Sequence, residues 1–144
     1  MPRQIAWKPR LIHPTSATSV SLSRVSALAE LLWWKIIPQC NDQGRILGDA
    51  YNVKSACCPL RNELNTDNIP ILLKELEKES LIILYSNSTA LLLQVKSWWD
   101  YESPQWAYPS SIPPPPNWKD KLRYRKRNKV ITDNWDKKID DNDE

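Results

Sequence analysis

Seven cations crowd the eleven residues from 119 to 129: Lys119, Lys121, Arg123, Arg125, Lys126, Arg127 and Lys129, with Tyr124 among them. Such a run can neutralise phosphates, which supplies most nonspecific DNA affinity, while the tyrosine ring offers a stacking surface. Alternation at 121, 123, 125 and 127 would set four cations along one side of an extended strand. The plain alternative is a solvated tail drawn to Asp140, Asp141, Asp143 and Glu144, and an acidic tail of that kind competes with DNA for the same patch.

The net charge of +3 conceals segregation. Residues 1–65 carry eight Lys/Arg against four acids, residues 66–104 three against six, residues 105–129 seven against one, and residues 130–144 two against six. A basic stretch followed by an acidic tail is a pattern of nucleic-acid-binding proteins. Catalytic constellations are missing. No GxxxxGK[ST], GxGxxG or HExxH occurs, and His13 is the sole histidine. Asp42 and Asp49 have ready roles in a turn and a helix cap, so no catalytic residue, metal or cofactor is expected. Cys40, Cys57 and Cys58 show no metal-ligand spacing and read as reduced, partly buried thiols. The apolar run 28–37 is interrupted by Glu30 and Lys35 and is too short to span a bilayer, so a soluble, cytoplasmic protein is expected.

The elements that must position these residues follow from periodicity. Residues 1–19 are polar, with Pro2, Pro9 and Pro14, and form a basic arm in which Arg10 is a candidate phosphate contact. Ser26 caps a helix over 27–37, whose buried face is Leu28, Ala29, Leu32, Trp33 and Ile36, and Pro38 ends it. Residues 41–44 form a turn in which Gly44 takes a positive φ, before a short strand over 45–47. Asp49 caps a second helix over 50–57. Thr66 or Asp67 caps a third over about 67–80, with Pro70 in its first turn and Ile69, Leu72, Leu73 and Leu76 facing inward. Two apolar runs, 81–85 and 91–95, flank the polar tip 86–89 as a hairpin.

That order, helix, short strand, helix, helix, hairpin, predicts an α+β winged helix-turn-helix over residues 20–100, with three helices and a β-hairpin wing. A Pro/Trp-rich extended segment follows over 101–118, with six prolines between 103 and 117, and then the basic run and acidic tail over 119–144. Residues 130–135 could add a strand. Among the eight tryptophans Trp33 reads as core, whereas Trp34, Trp98 and Trp99 suit either the core or an interface.

The stretch Ala29-Glu30-Leu31-Leu32-Trp33-Trp34-Lys35-Ile36, the turn Asn41-Asp42-Gln43-Gly44-Arg45, then Cys58-Pro59-Leu60-Arg61, Leu73-x-x-Leu76-Glu77, Leu81-Ile82-x-Leu84-Tyr85 and Trp98-Trp99 stand in a familiar sequence order. Together they resemble the winged-helix module of phage and prophage replication proteins, of the replisome-organiser or DnaD-like N-terminal type, over about residues 10–100. The tail from Gln105-Trp106-Ala107-Tyr108-Pro109-Ser110 through Trp118-Lys119-Asp120 is similar to an extension on some such proteins. The resemblance implies double-stranded DNA binding near a replication origin, often as a homo-oligomer that recruits replication proteins such as a helicase or its loader. Many relatives carry a further C-terminal domain, and none is expected here.

On that reading the third helix faces DNA with Asn68, Lys74 and Lys78, and the wing does so with Asn87. Glu75, Glu77 and Glu79 on the same helix would repel phosphates, or would pair with Lys74 and Lys78 on an ordinary packing helix. Arg45 could reach a phosphate or bond loop carbonyls. Lys54 and Arg61 flank the second helix as backbone contacts. A protein–protein module or a transcriptional regulator would use the same fold.

Overall fold

Ser26 starts the first long helix because its hydroxyl accepts the Ala29 amide at 3.2 Å, replacing one bond the helix cannot supply itself. In the computed structural model, which describes residues 8–135, the chain is mixed α+β with two small antiparallel sheets. A short helix α1 (Val20–Ser23) precedes α2 (Ala27–Ile36). Pro38 converts the end of α2 into a 3₁₀ turn over Ile37–Gln39, so the helix stops one residue before the expected position. Strand β1 (Arg45–Leu47), α3 (Ala50–Cys57), α4 (Ile69–Lys78), β2 (Ile82–Ser86), β3 (Leu91–Val95) and the single turn α5 (Trp98–Tyr101) follow.

Helix α4 starts differently from the sequence expectation. Neither Thr66 nor Asp67 caps it. Asn65 Oδ1 accepts the amides of Asp67 and Asn68, and α4 begins at Ile69 with Pro70 in its first turn. At its far end Ser80 adopts φ 59°, and the Leu81 and Ser80 amides donate to the carbonyls of Leu76 and Glu77. That is a Schellman closure with serine where glycine usually stands.

The first sheet has strand order β1-β3-β2. Across the three strands Arg45, Gln94 and Ile83 form one row, Ile46, Leu93 and Leu84 the next, and Leu47, Leu92 and Tyr85 the third, each β3 residue pairing with its neighbour on either side. Side chains alternate across a sheet, so these rows have opposite destinations. The row of Ile46, Leu93 and Leu84 joins the core beneath α2 and α4, where Ala29, Leu32, Ile36, Leu72, Leu73 and Leu76 are buried. Trp33 is in that core, as its position on α2 implies.

Leu92 and Gln94, on the other two rows and the opposite face, are also buried, although Leu92 is not part of the helix-side core. The segment after residue 101 covers them. Tyr85 donates its hydroxyl to the Pro113 carbonyl at 2.6 Å, Pro115 is buried, and Ala107 forms a two-bond bridge with Arg123. The expected extended segment is therefore packed against the sheet as a second layer. It leads into a two-stranded sheet, β4 (Leu122–Lys126) and β5 (Lys129–Asp133). The acidic tail and the first seven residues lie outside the described residues.

Candidate nucleic-acid interface

The turn at 41–45 ties the two layers together through polar groups. Its conformation comes from Asn41, whose Oδ1 accepts the amides of Gln43 and Arg45, and from Gly44 at φ 81°. A Cβ on Gly44 would stand 2.6 Å from Trp98. Gln43, fully buried, donates to the carbonyls of Tyr108 and Lys121 and accepts the Lys121 amide. Asp42 accepts from Lys8 at 2.8 Å, from Arg10 at 3.3 Å and from the Tyr108 amide at 3.1 Å. Burial without partners is costly for such groups, and the side chains of Asn41, Asp42 and Gln43 all have them.

Two of the expected phosphate contacts belong to this cluster. Arg45 has a fully buried side chain and grips Asp120 with both terminal nitrogens, at 2.7 and 2.6 Å, while also donating to Gln94. Its terminal nitrogens are taken up by Asp120 and Gln94 rather than by loop carbonyls. Arg10, with its side chain 3% exposed, donates to the Cys40 carbonyl and to Asp42 and lies 5.0 Å over the Trp98 ring. The arm, from residue 8 onward, is fastened to the domain.

On α4 the expected Lys74–Glu77 surface pair is present, and all three half-buried glutamates also meet groups of neighbouring segments. Glu75 accepts the Ser26 amide and hydroxyl at 2.9 and 3.0 Å, Glu77 accepts the Leu84 amide at 2.8 Å, and Glu79 lies 3.7 Å from Arg24. Lys74 pairs with Glu77 at 3.5 Å, yet remains 73% exposed. Ile71, Lys74 and Lys78 are left on the outer stripe at helical spacing, with Ile71 65% exposed. Glu75 and Glu77 thus tie α4 to the start of α2 and to β2, while Ile71, Lys74 and Lys78 stay exposed with Glu77 beside Lys74.

Around this stripe the other candidates divide. Arg61 is exposed in the α3–α4 loop. Lys54 is occupied, donating to the carbonyls of Cys58 and Arg61 at 2.9 and 2.8 Å, where it closes α3. Asn68 accepts the Asn65 amide and donates to the Glu63 carbonyl, so its amide builds the loop. Asn87, at the exposed tip of the β2–β3 hairpin, accepts from Thr89 and Ala90 and shapes the turn.

The basic run forms β4 and the turn after it. Lys121, Arg123 and Arg125 do fall on one side, but that side is occupied by indoles. Lys121 lies over Trp99, Arg123 over Trp106 and Trp135, and Arg125 over Trp106 at 5.2 Å. Arg123 is buried, Arg125 is exposed at its edge, and Arg127 sits in the turn and out of line. Lys119, Lys126, Arg127 and Lys129 are exposed. Sequence reasoning did not foresee Asp120 as the partner of Arg45. The available signal was its being the only acid between residues 105 and 129.

Among the described residues no group of three or more His, Cys, Asp or Glu could hold a metal ion, and no helix is long and apolar enough to cross a membrane. The three cysteines are free and buried, and burial pushes the Cys57 thiol up to about 12. No protein-family model, no curated protein and no solved structure matches this chain.

Proposed function

We propose that the chain binds double-stranded DNA as a winged helix, with α4 in the major groove and the β2–β3 tip as the wing, in phage or prophage DNA replication or its regulation. The observation that carries this reading is the exposed stripe of α4, Ile71, Lys74 and Lys78, beside which Glu75 is engaged by Ser26, Glu77 by the Leu84 amide as well as by Lys74, and Glu79 by Arg24. The element order from α2 to β3 and the strand order β1-β3-β2 support the fold it requires. Arg61 adds an exposed cation at the start of the α3–α4 loop. Recruitment of a helicase or loader and self-association belong to the same proposal and rest on the sequence resemblance alone.

Fluorescence anisotropy with a labelled duplex at two salt concentrations tests it. Lys74→Ala with Lys78→Ala should weaken binding roughly tenfold and lower the slope of log K against log salt by about 1.8, the value for two phosphate contacts. Absence of binding at low salt, or binding indifferent to salt, overturns the proposal.

A second reading, docking of a protein partner, is favoured by the exposure of Leu60 (92%), Tyr51 (77%) and Ile71 (65%) on the helical layer. On that reading the double lysine variant leaves duplex binding unchanged.

A further inference from the structure

The β4–β5 hairpin breaks two local rules at its tip. Lys126 and Lys129 stand directly opposite each other across the strands, a like-charge pair that destabilises an antiparallel ladder. Between them Arg127 takes φ 60°, whereas the following Asn128 does not have positive φ. Two-residue hairpin loops of that kind carry glycine at the first position. A lysine pair and an arginine in a glycine position raise the cost of this turn, and none of the three has an ion-pair partner among the described residues. Local rules are broken in this way at functional sites, and an anion bound here would offset the lysine repulsion.

Register identifies the face that would receive it. Tyr124, Lys126, Lys129 and Ile131 project to one side, opposite the side where Arg123 and Arg125 meet Trp106. On the open side Lys126, Arg127, Asn128, Lys129 and Ile131 line a shallow concavity of about 490 Å³. Next to it Tyr124 lies 5.9 Å from Tyr108, itself 45% exposed, and Lys8 sits 5.2 Å over the Tyr108 ring. Cations therefore flank a pair of tyrosine rings on a strand surface. The opposite face is fixed by indole stacking and by the Ala107–Arg123 bridge, so the arrangement is preorganised.

We propose that this face binds single-stranded nucleic acid, with phosphates on Lys126, Arg127 and Lys129 and a base stacked on the Tyr108–Tyr124 pair, as a site separate from the α4 stripe. Single strands expose the base faces that rings stack on, whereas a duplex hides them.

The test uses the full chain and labelled oligothymidine, an oligomer of the same length with abasic spacers, and a duplex. Lys126→Ala with Lys129→Ala should weaken oligothymidine binding about tenfold and reduce its salt slope by about 1.4, the single-strand value for two phosphates. Tyr108→Ala should cost about fivefold or more on oligothymidine and leave binding of the abasic oligomer unchanged. Neither variant should alter duplex affinity more than about twofold, while the Lys74→Ala, Lys78→Ala variant should leave oligothymidine binding intact. That crossed pattern separates failure of this site from failure of the duplex reading. Equal affinity for abasic and thymidine oligomers, unchanged oligothymidine binding in the hairpin variant, or an equal loss on duplex would each overturn the proposal.

Discussion

Arg45 and Asp120, 75 positions apart, are joined by two hydrogen bonds of 2.7 and 2.6 Å, with the arginine side chain wholly buried. A paired fork of this kind is strong, but its loss matters more than its presence, because an arginine cannot shed its charge. Asp120→Ala leaves that charge with only Gln94 as a side-chain partner. It should lower unfolding stability by about 3 kcal/mol, read as a urea midpoint shift. The same variant should make the 103–118 segment easier to cleave in limited proteolysis. A midpoint shift under about 0.5 kcal/mol, typical of surface sites, would show that the pair does not fasten the second layer.

Gly44 is the hinge of the same cluster. An alanine there would have to hold φ 81° and place its Cβ 2.6 Å from two ring atoms of Trp98 and 2.9 Å from Gln94 Nε2. Left-handed backbone alone costs about 1–3 kcal/mol in a nonglycine residue, and the indole is itself buried and bonded to the Asp42 carbonyl. Gly44→Ala should therefore unfold at a much lower temperature than the wild type. Gly48→Ala, whose added Cβ meets Leu92 backbone at 3.2 Å, should lose less. Equal melting temperatures for the two variants would contradict this ordering.

These two residues also mark how far the sequence could be read. The helices, β1 and the β2–β3 hairpin follow from apolar periodicity and caps, which are local, and Ser26, Asp49, Gly44 and Pro70 act as their types imply. The partner of Arg45 was not legible, because it lies beyond a proline run that reads as solvated. The alternation of cations in β4 was visible. The burial of that face was not, since it depends on Trp106 and Trp135 arriving from other segments. Likewise the glutamates of α4 appear as a surface stripe until Ser26 and Leu84 are known to stand opposite them.

Glu75 illustrates the last point and can be tested. The cap of α2 normally has its own amide served by a carboxylate three residues on, whereas here Glu75 serves it from α4 while also accepting the Ser26 hydroxyl. A negative charge at that end also suits the helix dipole. Glu75→Ala should cost about 1 kcal/mol, with an unchanged denaturant slope, since the bonds are solvent-accessible. A free surface glutamate would be neutral within about 0.5 kcal/mol, so a null result returns Glu75 to the solvent face.

Glu102 governs a pH dependence whose sign is set by burial. Desolvation raises its carboxyl pKa above the usual glutamate value, and the Leu11 amide, which donates to it at 3.1 Å, together with the Arg10 charge, offsets only part of that. The folded state thus holds this proton more tightly than the unfolded chain, where the value is about 4.3. The associated stability is fully present below the unfolded pKa and is lost as pH rises through the raised folded value. Glu102→Gln removes the titration while keeping an acceptor for Leu11. Urea midpoints measured from pH 4 to 7 should show the wild type losing stability relative to the variant as pH increases. A wild type that instead gains on the variant across that interval would mean that Arg10 and Leu11 outweigh burial at this carboxylate.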